Sequence, residues 1–517
     1  MSKIINTAFF WCTLLFFAAF FPLVFLLGFG VSDDLSFVAN IGASFWNDLS
    51  YSLSRSGHIS RPIYGLLQTT TLHLFRGDYV CYNACRIIIW MAIIVQSYKV
   101  FRYYFTSNVH WLFLFFVGFP IFSSAHLFNS FQMGYLLSLL FYLIAIRALQ
   151  DKHGDFVKEN YVKYVVFSIL ALFSCEIIFP LFILPLASNY FKGSQRKTQS
   201  KLLFSTVLLF TIFFIHKFLI GPLYQLDSSI YGFSLSANSV LQALYYFLLI
   251  GLEIPLLLIE VIPFYATEPA LYLSILVVPL IYFIHKRNDF KFESSRIKAL
   301  LITLFACCFI FLLSNYPAVS FGLYNKMLLP THLIYSIIIS IFCLQLLKSR
   351  LFIFTYIIGV LWFASMEMQI VNAIRSWNER EVQLKQLAGV LNAEKLNDDY
   401  VFVEVPYFLK SNYNNEHVFA LNDDFHGGLD LYGYRGDSRK IFPFCSKMLH
   451  EEEYFSNHNI HLVARQNNIE KFVLIRDGQV NKEEVTLNKL KNLSLHQHKE
   501  CLRSRLRSFL IHKIRKR

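Results

Sequence analysis

Residues 30–64 read GVSDDLSFVANIGASFWNDLSYSLSRSGHISRPIY. The stretch follows a long apolar run and ends where apolar sequence resumes. It opens with two adjacent acids, Asp33 and Asp34, and closes on Ser60-Arg61-Pro62. Between them Leu35, Val38, Ile41, Phe45 and Leu49 recur at helical spacing with Trp46 beside them, which predicts a short helix lying in a membrane interface. How this stretch is read depends on what flanks it, and both flanks point to a bilayer.

The apolar run before it, Ile4 to Phe29, has a single Lys3 ahead of it and no small-residue cleavage site before Asp33. It is too long for the core of a signal peptide and is predicted to be a transmembrane helix. Hydrophobic residues make up 55% of the 517-residue chain and charged residues only 16%, with 55 Phe and 29 Tyr. Several runs reach the ~20 apolar residues needed to cross ~30 Å of hydrocarbon. The chain therefore reads as a polytopic α-helical membrane protein.

After the opening stretch, Ile63–Phe75 is too short to span and is expected as a second interfacial helix. Further crossings are expected at about Val80–Phe101, His110–Leu127, Gln132–Leu149, Tyr161–Cys175, Ile177–Tyr190, Leu202–Leu223, Ala270–Ile284, Ala299–Ser314, Leu333–Leu347 and Phe352–Ile370. The two around Glu176 are short and are expected to meet at the outer face. Val240–Pro263 carries Gly251, Glu253, Pro255 and Glu260, and reads as a broken, re-entrant element. The threading gives about eleven crossings with the N-terminus inside. Its inner loops hold Lys99, Arg102, Arg147, Lys152, Lys192, Arg196, Lys286, Arg287, Lys348 and Arg350, the pattern expected for cytoplasmic loops. Outer loops are poor in Lys and Arg apart from the first loop, Lys217 and Lys326.

From residue 371 the composition changes. Residues 1–370 are expected to form the membrane domain, with a first outer loop at 30–79. Residues 371–517 are expected to form an extracytoplasmic α/β domain. In it Ser376–Leu396 reads as an amphipathic helix, Tyr400–Val405 and Lys471–Ile475 as strands, and Phe425–Asp437 as loop. The tail at 499–517 holds Lys499, Arg503, Arg505, Arg507, Lys513, Arg515, Lys516 and Arg517 against Glu500, a charge balance suited to anionic headgroups.

The net charge of +13 is spread over inner loops and this tail, so no nucleic-acid partner is expected. Of nine Cys, seven lie in or beside apolar spans, where they pack as small apolar residues; Cys445 and Cys501 share the C-terminal region, where a disulfide is chemically allowed. Neither zinc-ligand spacing nor a phosphate-binding glycine loop is present, so no metal or other cofactor is expected from the sequence. His216 with Lys217 is the notable polar pair inside the apolar spans.

Nucleotides are scarce outside the cytoplasm, so a transferase at the outer face would draw its donor from the lipid phase. A polyprenyl-phosphate sugar fits that need. Its departing phosphate needs a cation, for which Arg61 and Lys326 are candidates, and the acceptor hydroxyl needs a carboxylate base, for which Asp33 or Asp34 serve. Asp48, His58 and Asp227 are outer-loop polar residues able to contact substrate, and Glu176 is an acid within a long apolar stretch, where a carboxylate is costly. Each has a plainer alternative: Ser32-Asp33-Asp34 is good capping sequence, and Arg61 can snorkel to headgroups.

The first span, the paired acids opening an outer loop, the interfacial helices, Ser60-Arg61-Pro62, Ser174-Cys175-Glu176, and Asn325-Lys326 before Leu329-Pro330 together resemble the GT-C class of integral-membrane glycosyltransferases. Within it the layout is similar to bacterial and phage glucosyltransferases that decorate O-antigen, with Ser60 where relatives show Gly and Lys326 where Arg is common. The resemblance implies an inverting enzyme of the bacterial inner membrane that moves a hexose such as glucose from a polyprenyl-phosphate donor to a lipopolysaccharide or lipid-linked glycan in the periplasm. It also implies a flippase and a donor synthase as partners, and catalytic roles for Asp33, Asp34 and Glu176. An O-antigen polymerase, or a transporter of a lipid-linked glycan, is the alternative.

Overall fold

The computed structural model describes residues 2–27, 38–39, 41–54, 61–105, 110–121, 133–151, 156, 160–193, 196–216, 244, 255, 257–286, 293–308, 328–396, 399–405, 422–444, 471–476 and 479–486. Asp33, Asp34, His58, Asp227, Lys326, Cys445, Cys501 and the 499–517 tail lie outside them, as does most of Val240–Pro263. The chain forms two compact units, one mainly Ile41–Asn378 with the N-terminal helix, the other mainly Glu379–Leu409 and Val418–Arg517.

The first unit is a helical membrane bundle. Its helices are α1 (Ser2–Leu26), α2 (Phe45–Ser54), α3 (Pro62–Phe75), α4 (Tyr79–Phe101), α5 (His110–Gly118), α6 (Gly134–Leu149), α7 (Tyr161–Ser174), α8 (Ile183–Lys192), α9 (Arg196–Phe214), α10 (Val277–His285), α11 (Ser294–Cys308), α12 (Leu329–Lys348) and α13 (Phe352–Ala393). Among the described residues four helices are long and apolar enough to cross a membrane, in α1, α4, α12 and α13.

Three differences from the sequence expectation bear on the helices of the bundle. Ile41–Ser44 is not helical, so the first interfacial helix begins only at Phe45. The Asp48 carboxylate accepts the Gly42 N–H at 2.9 Å, and a Cβ on Gly42 would stand 2.5 Å from Asp48 Oδ1. This local bond takes the chain out of the helix that its apolar spacing suggests. Phe352–Ile370 and Ser376–Leu396, read as separate, are one continuous 42-residue helix, α13. No Pro or Gly stands between Val360 and Ala388 to interrupt the backbone ladder.

The third difference concerns His110–Leu127. The helix described there, α5, has 9 residues, about 14 Å at 1.5 Å per residue, and 119–121 are not helical, while 122–127 lie outside the described residues. Pro120 has no N–H to offer the Phe116 carbonyl, and the helix ends two residues before it. Carbonyls freed in this way must find donors elsewhere, since hydrocarbon supplies none. Five do. Ser336 Oγ donates to Phe116 O at 3.1 Å, His332 Nε2 to Val117 O at 3.1 Å and Trp90 Nε1 to Gly118 O at 3.1 Å. Trp362 Nε1 reaches Phe119 O, and Gln369 Nε2 reaches Ile121 O. The donors come from α4, α12 and α13, so one broken helix ties three intact ones together. Phe119 in turn stacks on Phe16 of α1 at 4.7 Å.

The second unit contains the last part of α13, helix α14 (Asn422–Leu431) and strands β1 (Val401–Glu404), β2 (Ile441–Phe444), β3 (Lys471–Arg476) and β4 (Gln479–Thr486). The sheet order is β2-β1-β3-β4, with β1 parallel to both neighbours and β3 antiparallel to β4. Val401 is paired with Ile441 on one side and Val473 on the other. The strands expected at Tyr400–Val405 and Lys471–Ile475 correspond to β1 and β3. Phe425–Gly433, expected as loop, is mostly α14. Gly427 and Gly428 lower its helix propensity, but Phe425 and Leu429, one turn apart, are both buried and offset that cost. Gly433 follows at φ +85°, and its carbonyl accepts from Asn392 Nδ2 at 2.9 Å.

At Gly118 a Cβ would stand 2.0 Å from Phe16 Cζ, whereas one at Gly389 meets nothing within 4 Å. Gly118→Ala is expected to cost about 1–3 kcal/mol by overpacking. Gly389→Ala is expected to be neutral or to stabilise by up to about 1 kcal/mol through helix propensity. Apparent Tm values of the two full-length variants in detergent check this, with a fall only at Gly118.

Candidate functional site

Of the residues singled out from the sequence, Arg61, Glu176 and Asp48 are described, and the first two meet. Arg61 stands just ahead of α3, where Pro62 occupies the first helical position with its φ already set for a helix. Gly65 N–H donates to Arg61 O at 3.0 Å, so the first turn anchors the residue. Glu176 lies 115 positions further on, where α7 has ended at Ser174 and Cys175 is extended. Pro180 deprives the Glu176 carbonyl of its α-helical donor, and Glu176–Phe182 tightens into a 3-10 turn before α8 begins. This is the elbow expected between two short helices.

The side chains form a bidentate pair. Arg61 Nε donates to Glu176 Oε2 at 2.7 Å and Nη2 to Oε1 at 2.6 Å. Their side chains are 5% and 15% exposed, so the charges are largely removed from water. Such a pair repays its desolvation only when its geometry is good and its remaining bonds are met. The surroundings supply this. The Tyr135 ring lies with its centroid 6.0 Å from the guanidinium carbon, within reach of a cation–π contact. Tyr64 packs edge-on to Tyr135 at 6.4 Å, and a Cβ on Gly134 would stand 1.8 Å from Tyr64 Cδ2. Only a glycine lets the start of α6 approach Tyr64 so closely. The elbow is held by Tyr142, whose hydroxyl donates to Leu181 O at 2.6 Å and whose ring meets Phe182 edge-on at 5.1 Å.

Asp48 is already engaged. Besides the Gly42 N–H, its Oδ2 meets His73 Nε2 at 2.8 Å, so the carboxylate clamps α2 to the end of α3. Among the described residues, no group of three His, Cys, Asp or Glu is placed to hold a metal ion.

Several buried polar groups were not singled out from the sequence. Arg86 on α4 is buried and donates to Asn83 Oδ1 at 2.8 Å, while Asn83 Nδ2 donates to Leu27 O at the end of α1. Glu268 pairs bidentately with Arg375 at 2.6 and 2.8 Å. Glu367 and His332 lie buried within α13 and α12. Of the expected His216–Lys217 pair, Lys217 lies outside the described residues. The signal for the others was present, since an ionisable residue in an apolar run is a functional candidate by default. Reading Val80–Phe101 and Phe352–Ile370 as uniform spans passed over Arg86 and Glu367.

No protein-family model matches the chain, and neither a curated protein nor a solved structure matches it.

Glu176→Gln leaves the Arg61 charge buried without its counter-charge, and is expected to destabilise the protein by about 3 kcal/mol or more. The double variant Arg61→Met/Glu176→Met removes both charges and is expected to recover at least half of that loss. Thermal unfolding of the full-length variants in detergent reads both; equal Tm values for wild type and Glu176→Gln would show the pair to be energetically idle.

Proposed function

We propose that the chain is a GT-C-type glycosyltransferase that moves a hexose such as glucose from a polyprenyl-phosphate donor to a cell-envelope glycan, O-antigen being the expected acceptor. The observation that carries this is the buried, bidentate Arg61–Glu176 pair, which joins the end of the first loop to the elbow between two short membrane helices. A buried pair is poor value for stability compared with apolar packing, and is more readily explained by chemistry at the same place. An incoming phosphate competes with Glu176 for the Arg61 guanidinium, whose planar fork suits carboxylate and phosphate alike. Donor binding then neutralises the phosphate and frees the Glu176 carboxylate together.

In the proposed reaction Asp33 or Asp34 takes the proton from the acceptor hydroxyl. The acceptor oxygen bonds to the anomeric carbon, and the bond from that carbon to the phosphate oxygen breaks. The polyprenyl phosphate leaves with the electron pair, held by Arg61 and Lys326, and the anomeric centre inverts. Asp48, His58 and Asp227 are assigned to substrate contacts, with the Asp48 carboxylate also holding the Gly42 N–H and His73.

The same proposal places the chain in a bacterial inner membrane with about eleven crossings and a cytoplasmic N-terminus. Residues 371–517 form its periplasmic α/β domain, with the 499–517 tail against anionic lipid. A flippase and a donor synthase supply the polyprenyl-linked sugar. The buried ionisable residues Arg86 and Glu367 favour a second reading, a transporter of a lipid-linked glycan, because such a path runs through the bundle.

Mass spectrometry of envelope glycan separates the two. Cells with the wild-type protein are expected to gain a hexose-sized mass that Asp33→Asn/Asp34→Asn abolishes at unchanged protein abundance; full modification by the variant removes the acid-base assignment, and altered export without added mass favours the transporter. A cysteine on the surface of the C-terminal unit is expected to react with an impermeant thiol reagent in spheroplasts. Protection there would overturn the orientation and with it the side on which the site lies.

A further inference from the structure

Glu367 is a buried carboxyl of α13 whose Oε1 has no hydrogen-bond partner among the described residues. Every residue from Trp362 to Ile370 is buried, and most have a visible task. Trp362 and Gln369 cap carbonyls of the broken helix, and Ser365 Oγ donates to Leu257 O at 3.2 Å. Ala364 and Met368 pack with Leu257, Val261 and Leu271. Phe363 meets the Phe119 ring edge-on at 4.9 Å. Glu367 is equally buried, yet its Oε1 has no hydrogen-bond partner among the described residues. An unmatched carboxyl in such surroundings costs several kcal/mol if nothing ever occupies it.

Its place suggests the occupant. From Phe352 to Glu367 is fifteen residues, about 22 Å at 1.5 Å per residue, which lies in the outer third of a ~30 Å hydrocarbon layer under the proposed orientation. Glu367 follows Phe363 by one turn on the same face. Phe363 contacts Phe119, and Phe119 stacks on Phe16 and Phe20 of α1. The helix α1 leads directly to the loop of Asp33 and Asp34. A group at this depth meets the head of a lipid rather than a solute from bulk water.

We infer that Glu367 accepts a hydrogen bond from a hydroxyl of the sugar carried by the lipid-linked donor, making it a binding residue of the donor's sugar. The inference rests on the glycosyltransferase reading for the identity of that lipid. A buried carboxyl oxygen discriminates strongly for a hydroxyl, because a ligand lacking one leaves the acceptor unmatched.

The test uses full-length protein in nanodiscs and dicyclohexylcarbodiimide, an apolar reagent that reaches carboxyls from the hydrocarbon side, with label mapped by peptide mass. Three conditions are compared: no added lipid, polyprenyl phosphate, and polyprenyl-phosphate glucose. Labelling of Glu367 is expected in the first two and to fall roughly fivefold or more in the third, the scale of one hydrogen bond to a buried group. Glu367→Gln removes the labelled peptide and, in cells, is expected to lower hexose transfer by a similar factor at unchanged abundance. Equal labelling under all three conditions, or no labelling without lipid, overturns the inference. The glycan mass of wild-type cells keeps the two proposals apart: added hexose with no protection of Glu367 sinks this inference alone. Protection by the sugar lipid with no added hexose sinks the transferase reading and leaves Glu367 as a sugar-lipid contact.

Discussion

A carbonyl in hydrocarbon must be given a donor by the protein itself, and in this chain that requirement is concentrated at the end of α5. Pro120 ends the ladder, and the carbonyls of Phe116, Val117, Gly118, Phe119 and Ile121 are each met by a side chain from another helix. Every one of these donors sits in an apolar span where a polar group would otherwise be a liability. Together they fix the lateral order of α4, α12 and α13 around a short helix that could not hold itself in a bilayer. Specific polar bonds do here what the hydrophobic effect cannot do between helices already surrounded by lipid.

The same logic governs the charges. Arg61 and Glu176 are tolerated because each satisfies the other twice, with Tyr135 beside the guanidinium. Asp48 is occupied by one backbone N–H and one imidazole. Arg375 and Glu268 repeat the bidentate arrangement where the side chain of Arg375 is half exposed. Against this background Glu367 stands apart, since the chain spends a buried carboxyl there and gives its Oε1 no described partner.

Four helices of the bundle were legible in the amino-acid sequence because length and hydropathy are strong signals: α1, α4, α12 and the membrane part of α13 fall where apolar runs of sufficient length occur. The elbow at Glu176 was legible from an acid between two short apolar segments. What failed were features decided by one bond or by one absent donor. The helix expected from Leu35 to Leu49 gives way at Gly42 to a contact with a side chain six residues away. The span expected at His110–Leu127 was read by apolarity alone, which ignores that Pro120 removes a donor. The bidentate partner of Arg61 was beyond reach, because no periodicity links residues 115 positions apart. Arg86 and Glu367 were visible as letters in the sequence but were averaged away by reading whole windows as apolar.

That separation of 115 residues also sets a timetable. A ribosome adding about 5–20 residues per second needs on the order of ten seconds to make the chain between Arg61 and Glu176. During that interval the guanidinium has no elbow to dock against, and the headgroup layer is the only nearby place that will solvate it. The start of α3 is therefore held at the water boundary until α7 has been inserted and its far end delivered. The ion pair can close only once α7 and the elbow behind it exist, and before α12 and α13 have been made to serve the α5 carbonyls.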